Sequence, residues 1–373
     1  MVVERSLRVL VIRTDKVGDL LLSMPAIRSI RESIPGAHLT VLASPYNAPV
    51  LRGWDVPDNI EIFDTCWPLR RQLAVAAALR RRRFDLCLVL HPAIEAYAVA
   101  RMTGAPIRVG IVYARRLLER VLAPVLLTCV SACRLERAAA RHSEVPHEID
   151  LTRMVVEAAG LRWGDGELEV PMPPDAACWA DDIVSRGGLP DEPLIGVHLS
   201  EKWRDQNWTI EHVGTMLAAL ASIRADGAVL VTHGPSDGII AEDLCGLPGF
   251  ERARGEVNEA ARWPGGDGRV RVLAVDFPRW AAIVSRCAVV VSRDTGSLHL
   301  ASALKRPVVA VYAPKGFAIN SRQFAPWRVP HRILMAGAAR DTLPAIIQAV
   351  GELLALNAAQ PKKHDDGRLG RAP

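Results

Sequence analysis

Four short segments of this chain combine acidic, cationic and hydroxyl side chains, and each follows an apolar, β-branched run. The last of them, Asp294-Thr-Gly-Ser-Leu-His299, stands between the run 288–292 and the helix-forming stretch 300–304. A strand-to-helix turn of this kind exposes backbone N–H groups at a helix N-terminus, which suits an anion such as a diphosphate. An Asp that merely caps the helix is the other reading, and the segment alone leaves both open. Its counterpart near the chain start is Arg13-Thr-Asp-Lys-Val-Gly-Asp19. Asp19 opens a helix, where the helix field favours a carboxylate, and it suits either a cap or a general base. This turn is neither G-x-G-x-x-G nor a P-loop, so a nicotinamide dehydrogenase or an NTPase loses its best support. Between the two lie His198-Leu-Ser-Glu-Lys-Trp-Arg-Asp-Gln-Asn-Trp208 and Thr232-His-Gly-Pro-Ser-Asp237. In the first of these, Ser200, Lys202 and Arg204 could hold phosphate, or form a plain polar loop anchored by Trp203 and Trp208. No Gly-x-Ser-x-Gly elbow occurs, which weakens a hydrolase reading.

The elements that must position these segments alternate. Residues 7–12 read as a strand, 20–32 as a helix stopped by Pro35-Gly36, and 38–43 as a second strand. That is a right-handed β-α-β unit. A helix over 69–83 leads to strands at 85–90 and 107–111, and from about 113 to 160 the pattern is helical and basic. Glu169-Val-Pro-Met-Pro-Pro-Asp175 breaks regular structure and marks a boundary between domains. Alternation then restarts, with strands at 194–199, 228–233, 288–292 and 308–312 and helices at 209–223 and 278–287. The expected fold is α/β, with two Rossmann-like, doubly wound parallel-sheet domains facing a central cleft. The first domain spans 1–175 and the second 176–342; a last helix covers 343–358, and 359–373 form a disordered tail. In open α/β sheets ligands bind at the carboxyl ends of strands, so three consecutive strand ends of the second domain converge on one polar rim.

A chain of 373 residues with half its residues hydrophobic and 23% charged is a folded protein of two domains. The longest apolar candidate for a span, 121–130, is too short and contains Pro124. With no signal-peptide layout at the start, the expected location is cytoplasmic. Seven cysteines without a Cys-x-x-Cys pair, and histidines without a metal-binding spacing, point to reduced thiols and no metal site. Cys129 and Cys133 are spaced to share a helix face. Residues 1–145 carry 21 Lys/Arg against 13 Asp/Glu, whereas the remainder carries 25 against 28. The first half includes Arg80-Arg-Arg-Arg83, Arg115, Arg116, Arg120, Arg134, Arg137 and Arg141. Each cluster alone reads as a solvated helix face; together they fit an acidic or membrane-bound partner. The clusters lack interleaved aromatics and a recognised motif, so no nucleic acid is expected.

The turn Asp15-Lys-Val-Gly-Asp19 with 20–31 resembles the opening signature of glycosyltransferase family 9, which includes the ADP-heptose:lipopolysaccharide heptosyltransferases. The run 294–304, followed by Pro307-Val-Val-Ala-Val-Tyr-Ala-Pro314, resembles its C-terminal signature. The resemblance covers about 10–345 in the right order. It implies a GT-B architecture, with the acceptor bound by the first domain, the nucleotide-sugar by the second, and the final helix, 343–358, packing back on the first. The implied reaction is an inverting, metal-independent transfer that needs no cofactor. By that analogy Asp19 is the base that deprotonates the acceptor hydroxyl, and Asp294 contacts the donor sugar. Thr295, Gly296 and Ser297 hold the diphosphate from the helix N-terminus, His299 supports the loop, and Ser200 contacts phosphate. One departure stands out. Aligning Trp208 with the Trp of the family's Lys-x-Trp-Pro stretch puts Gln206 where the family has Lys, so Lys202 or Arg204 must supply the charge.

The expected function is therefore transfer of a sugar, heptose from ADP-heptose foremost, to an acidic glycolipid such as a lipopolysaccharide core, with contact at the inner membrane surface. Lys16, Gly18, Arg80, Arg115, Arg116 and Arg120 are the acceptor-side candidates. The alternatives are a GT-B protein that binds a nucleotide-sugar without transferring it, motivated by Gln206, and a nucleotide-sugar epimerase or hydrolase.

Overall fold

Apolar runs without polar alternation must be buried on both faces, and the chain meets that demand with two largely parallel sheets covered by helices. The computed structural model describes residues 6–114, 116–133, 135, 145–185, 194–224, 228–248, 251–252, 261–263 and 270–359. The first sheet consists of β1 (Arg8–Arg13), β2 (His38–Ala43), β3 (Asn59–Ile62), β4 (Leu86–Val89), β5 (Ile107–Tyr113) and β6 (Cys129–Cys133). Its order is β3-β2-β1-β4-β5-β6, parallel throughout. The winding reverses between β1 and β4, so the crevice beyond their carboxyl ends is where a ligand would lie.

The helices of this half are α1 (Val17–Leu21), α2 (Met24–Ser33), α3 (Leu69–Arg81), α4 (Ile94–Thr103), α5 (Leu117–Leu126) and α6 (Glu148–Ala158). Alternate residues of β1 feed two cores. Val9 and Val11 pack with Leu20, Ile27 and Val155 beneath α1, α2 and α6. Leu10 and Ile12 pack with Leu79, Tyr97 and Ala123 beneath α3, α4 and α5.

The second half comprises α7 (Pro174–Ser185), β7 (Leu194–Leu199), α8 (Ile210–Ala221), β8 (Ala228–His233), α9 (Gly238–Cys245), β9 (Glu251–Arg252), β10 (Ala261–Trp263), β11 (Val270–Ala274) and α10 (Phe277–Val284). It continues with β12 (Val289–Arg293), α11 (Gly296–Ala303), β13 (Val308–Tyr312), α12 (Phe317–Gln323), β14 (His331–Met335) and α13 (Ala339–Ala359). The sheet order is β14-β13-β12-β7-β8-β11-β10-β9, with β10 alone running against the rest among the described residues. Here the winding reverses between β7 and β12, again placing a ligand crevice at two carboxyl ends.

The structure corrects several expectations. The helical reading of 113–160 contains a strand, β6, and this puts Cys129 and Cys133 on a sheet edge rather than a helix. All seven cysteines are free thiols. The last helix does not return to the first domain: α13 packs on β12, β13, β14 and α8, with Ile346, Val350 and Leu353 buried in the second core. It continues to Ala359, and the tail expected beyond it lies outside the described residues. The nearby segment 323–328 does reach the first half. Gln323 Nε2 donates to Glu148 Oε2 at 2.9 Å, His147 Nε2 lies 3.0 Å from the Ala325 carbonyl, and the Trp327 ring lies 4.5 Å from that of His147.

Candidate active site

The turn after β1 is built around a buried arginine. Arg13, 1% exposed, reaches Asp15 Oδ1 and Asp19 Oδ1 at 2.9 Å each and Glu148 Oε1 at 3.1 Å. It also donates to the Leu90 carbonyl. Burial works against the charge, yet the three carboxylates raise the guanidinium's pKa above its ordinary value, so it stays a cation. Burial pushes Asp15 and Glu148 up, with Arg13 pulling both back. Asn47, in the loop after β2, fixes the turn by donating to the carbonyls of Arg13 at 3.0 Å and Asp15 at 3.3 Å. Asp19 stands in the first turn of α1, and its recorded charge partner is Arg13. That arrangement is an oriented carboxylate rather than a helix cap.

Thr295 occupies the cap position of α11, but its side chain makes no capping hydrogen bond. Its hydroxyl lies 3.0 Å from Ser297 Oγ, which in turn bonds Ser292. No Thr295 side chain therefore covers the first-turn N–H groups that an anion could use. Asp294 sits beside Lys202, whose Nζ donates to the Asp294 carbonyl and lies 3.8 Å from Oδ2. Burial raises the Asp294 pKa, Lys202 and Lys16 oppose the rise, and the charge of Asp19 adds to it. Those charges come from both domains.

The loop after β7 is anchored by its two tryptophans. Trp203 is fully buried and donates from Nε1 to the His198 carbonyl at 2.9 Å; Trp208 donates to the Gly337 carbonyl at 3.0 Å. Between them the chain presents Ser200, Glu201 and Lys202 to the cleft. Ser200 Oγ is buried and has no hydrogen-bond partner among the described residues. Arg204 turns outward to Asp243 and Glu201. Gln206 is exposed, with a left-handed φ of +62°, and does not line the cleft. Of the two cations offered in place of the family lysine, only Lys202 faces the site.

These turns meet in a cleft of about 780 Å³. A Cβ built on Gly18 would lie 2.7 Å from His299 Cδ2 and 3.0 Å from Gly296 Cα, so the two turns touch where both carry glycine. Of the expected residues, Lys16, Gly18, Asp19, Ser200, Lys202, Asp294, Thr295, Gly296 and His299 line the cleft. Ser297 supports it from behind, buried beneath Thr295. His299 is buried with Nδ1 unpartnered among the described residues, and burial pushes its pKa down to about 3, so it packs as a neutral ring. Arg80, Arg116 and Arg120 do not line the cleft, and Arg115, Arg134, Arg137 and Arg141 lie outside the described residues. The 232–237 segment contributes His233, Gly234, Ser236 and Asp237.

Sequence reasoning missed Tyr46, Arg52, Phe277 and Trp280, which also line the cleft. Their one common signal is position, since each follows the carboxyl end of a strand. Among the described residues no group of three or more His, Cys, Asp or Glu is placed to hold a metal ion. No helix among them is long and apolar enough to cross a membrane.

Two Rossmann-type domains whose strand ends face one another across such a cleft form the GT-B architecture of nucleotide-sugar-dependent glycosyltransferases. Comparison with known proteins narrows the class. Residues 256–339 match the model of glycosyltransferase family 9 (heptosyltransferase). Lipopolysaccharide heptosyltransferase 2 of Salmonella typhimurium is 22% identical over 322 residues, covering 83% of each chain. A family 9 glycosyltransferase structure from Veillonella parvula superposes with a TM-score of 0.72 at 19% identity, covering 94% of this chain and 97% of that one. An Escherichia coli heptosyltransferase with ADP superposes with a TM-score of 0.63 at 19% identity, covering 93% and 100%. The chain is a glycosyltransferase that resembles family 9, over residues 256–339 by the family model and over most of its length by the heptosyltransferases.

Proposed function

We propose that this enzyme transfers a heptose, with inversion, from ADP-heptose to a hydroxyl of an acidic lipopolysaccharide-core glycolipid at the cytoplasmic membrane face. The observation that carries the reading is the meeting of Asp19 and the 294–296 turn in one cleft, each from its own domain. Asp19, held by Arg13, takes the proton of the acceptor hydroxyl. The acceptor oxygen then attacks the anomeric carbon as the bond from that carbon to the diphosphate oxygen breaks, and the nucleoside diphosphate departs. Negative charge growing on the leaving group meets the N-terminus of α11, Lys202, Lys16 and the unpartnered Ser200 hydroxyl. Charge from these groups lets the reaction run without a metal ion or other cofactor in this reading. The ADP in one structural neighbour supports a diphosphate donor.

The binding-only alternative rested on Gln206, which stands outside the cleft while Lys202 stands inside it. The test is a nucleotide-sugar panel with a deacylated lipopolysaccharide-core acceptor, scored for nucleotide release and for the glycosylated product. Acceptor-dependent release from ADP-heptose is expected. Release that ignores the acceptor would replace transfer with hydrolysis.

A further inference from the structure

The basic excess of the first half has an address. Between Thr65 and Thr128 the chain holds eleven arginines against three acidic residues. This stretch supplies the helix layer α3, α4 and α5, in which α3 packs on α4 and α4 on α5. Within that layer α5 is apolar on both sides. Ala123 is buried toward the sheet, while Leu117, Leu118, Val121 and Val125 are 60–71% exposed, with Pro124 exposed among them. An exposed apolar face of this kind is normally covered by something. On α3, Leu69 and Leu73 are exposed beside Arg70 and Arg71. Among the described residues of these three helices Glu95 is the one exposed acid, and Glu119 is half-buried 3.7 Å from Arg116.

The patch adjoins the site. α5 starts just after the carboxyl end of β5, on the cleft edge of the sheet. Arg116 Nη1 donates to the Pro92 carbonyl at 2.6 Å. One residue earlier, His91 Nδ1 lies 3.1 Å from Thr14 Oγ1, in the turn that carries Asp19. The helix is thus tied through two short contacts to the turn that carries the base.

We infer that the exposed apolar face of α5, flanked by Arg116 and Arg120 and sharing its helix layer with the arginines of α3, docks on an anionic phospholipid bilayer. Leucine, valine and proline enter the interface while Arg70, Arg71, Arg116 and Arg120 meet lipid phosphates. Charge selects this occupant over a second copy of the chain, because two such faces would set arginine against arginine. The inference rests on the proposed glycolipid acceptor only for its purpose: an acceptor anchored in the same bilayer would reach Asp19 without leaving it.

The test is sedimentation of the full chain with vesicles of equimolar phosphatidylethanolamine and phosphatidylglycerol, beside phosphatidylcholine vesicles. Binding to the anionic vesicles, weakened by high salt and little on phosphatidylcholine, is expected. The triple variant Leu117→Glu, Val121→Glu, Val125→Glu should lower the partition coefficient by about tenfold or more. Its melting temperature and its activity on a deacylated, water-soluble acceptor should match wild type. Equal binding by variant and wild type, or none by wild type, overturns the inference. So does a wild-type dimer in solution that the triple variant splits. Loss of transfer activity in wild type would instead strike the proposed function and leave the vesicle result standing.

Discussion

Replacing Gly18 with alanine tests whether the contact between the two turns matters to catalysis. The new methyl carbon would sit 2.7 Å from His299 Cδ2 and 3.0 Å from Gly296 Cα. Ordinary carbon–carbon contact is about 3.5–4.0 Å, so the turns must part by roughly 0.5–1 Å. Backbone lies on one side and a buried ring on the other, so neither neighbour yields by simple rotation. Overpacking of this kind costs about 1–3 kcal/mol. Alanine returns about 1 kcal/mol through helix propensity, since Gly18 lies inside α1. Global stability should therefore fall by no more than about 2 kcal/mol. Catalysis should suffer more, because displacing reacting groups by about 1 Å costs on the order of 100-fold in rate. The assay is kcat/KM from nucleotide release with acceptor present, read beside the melting temperature. Gly36→Ala is the control, since a Cβ there meets nothing within 4 Å. A Gly18→Ala enzyme with wild-type kcat/KM would refute the argument, because Asp19 and the 294–296 turn would then need no fixed spacing.

Asp19→Asn should lower kcat by about 100- to 10,000-fold, the range for loss of a general base, with ADP binding by calorimetry unchanged. A near wild-type kcat would remove Asp19 from the mechanism. Lys202→Ala should weaken ADP binding by about tenfold, as expected for a charge-assisted contact, while Gln206→Lys leaves it unaltered. The opposite pattern would return the family lysine position to the cleft. Acid should destabilise the fold. His91, His198 and His299 are pushed down to about 3, chiefly by burial, so the unfolded chain takes up their protons below about 6.5 and the native state does not. Each contributes stability that is present above about pH 6.5 and lost at up to about 1.4 kcal/mol per unit as pH falls toward 3. Asp15, Glu148 and Asp294 act the other way, since a raised carboxyl pKa makes stability fall as pH rises above about 4. Burial lowers His147 as well, and four imidazoles outweigh three carboxyls, so the melting temperature should drop between pH 6.5 and 4.5; a flat or rising profile would contradict neutral burial of the histidines.

The strands legible in the sequence are mainly those buried on both faces. β1, β2, β7, β8, β12 and β13 are unbroken apolar runs and were placed within a residue or two. Three missed strands, β3, β6 and β14, are sheet edges made largely of half-exposed residues. Such strands lack the continuous apolar signature. β11 is buried, but Arg271 interrupts its run. The last helix misled for a different reason: its apolar stripe announces burial without saying against which sheet. The site divides in the same way. Turns after strong strands named Asp19, Ser200, Lys202 and Asp294–Gly296, because strand ends in an open α/β sheet converge. Tyr46, Arg52 and Trp280 were not legible, since nothing local separates a cleft-lining Tyr or Arg from one in solvent.

Arg13 is the residue whose position the sequence disguised most. It closes a hydrophobic strand, where an arginine reads as the first exposed residue of a turn, yet it is 1% exposed. A buried arginine with three carboxylates is poor evidence for stability, because desolvating the charges offsets much of their attraction. Its geometry explains it better. Through Nη2 it joins Asp19 to Glu148, and Glu148 Oε2 accepts from Tyr113 Oη at 3.0 Å and from Gln323 at 2.9 Å. Gln323 belongs to the second domain, so the carboxylate proposed as base is tied by two buried residues to the seam between the halves. The same seam sets Gly18 against Gly296. Orientation of Asp19 and closure of the donor turn upon it are therefore fixed by one interface, in a place where neither turn alone could fix them.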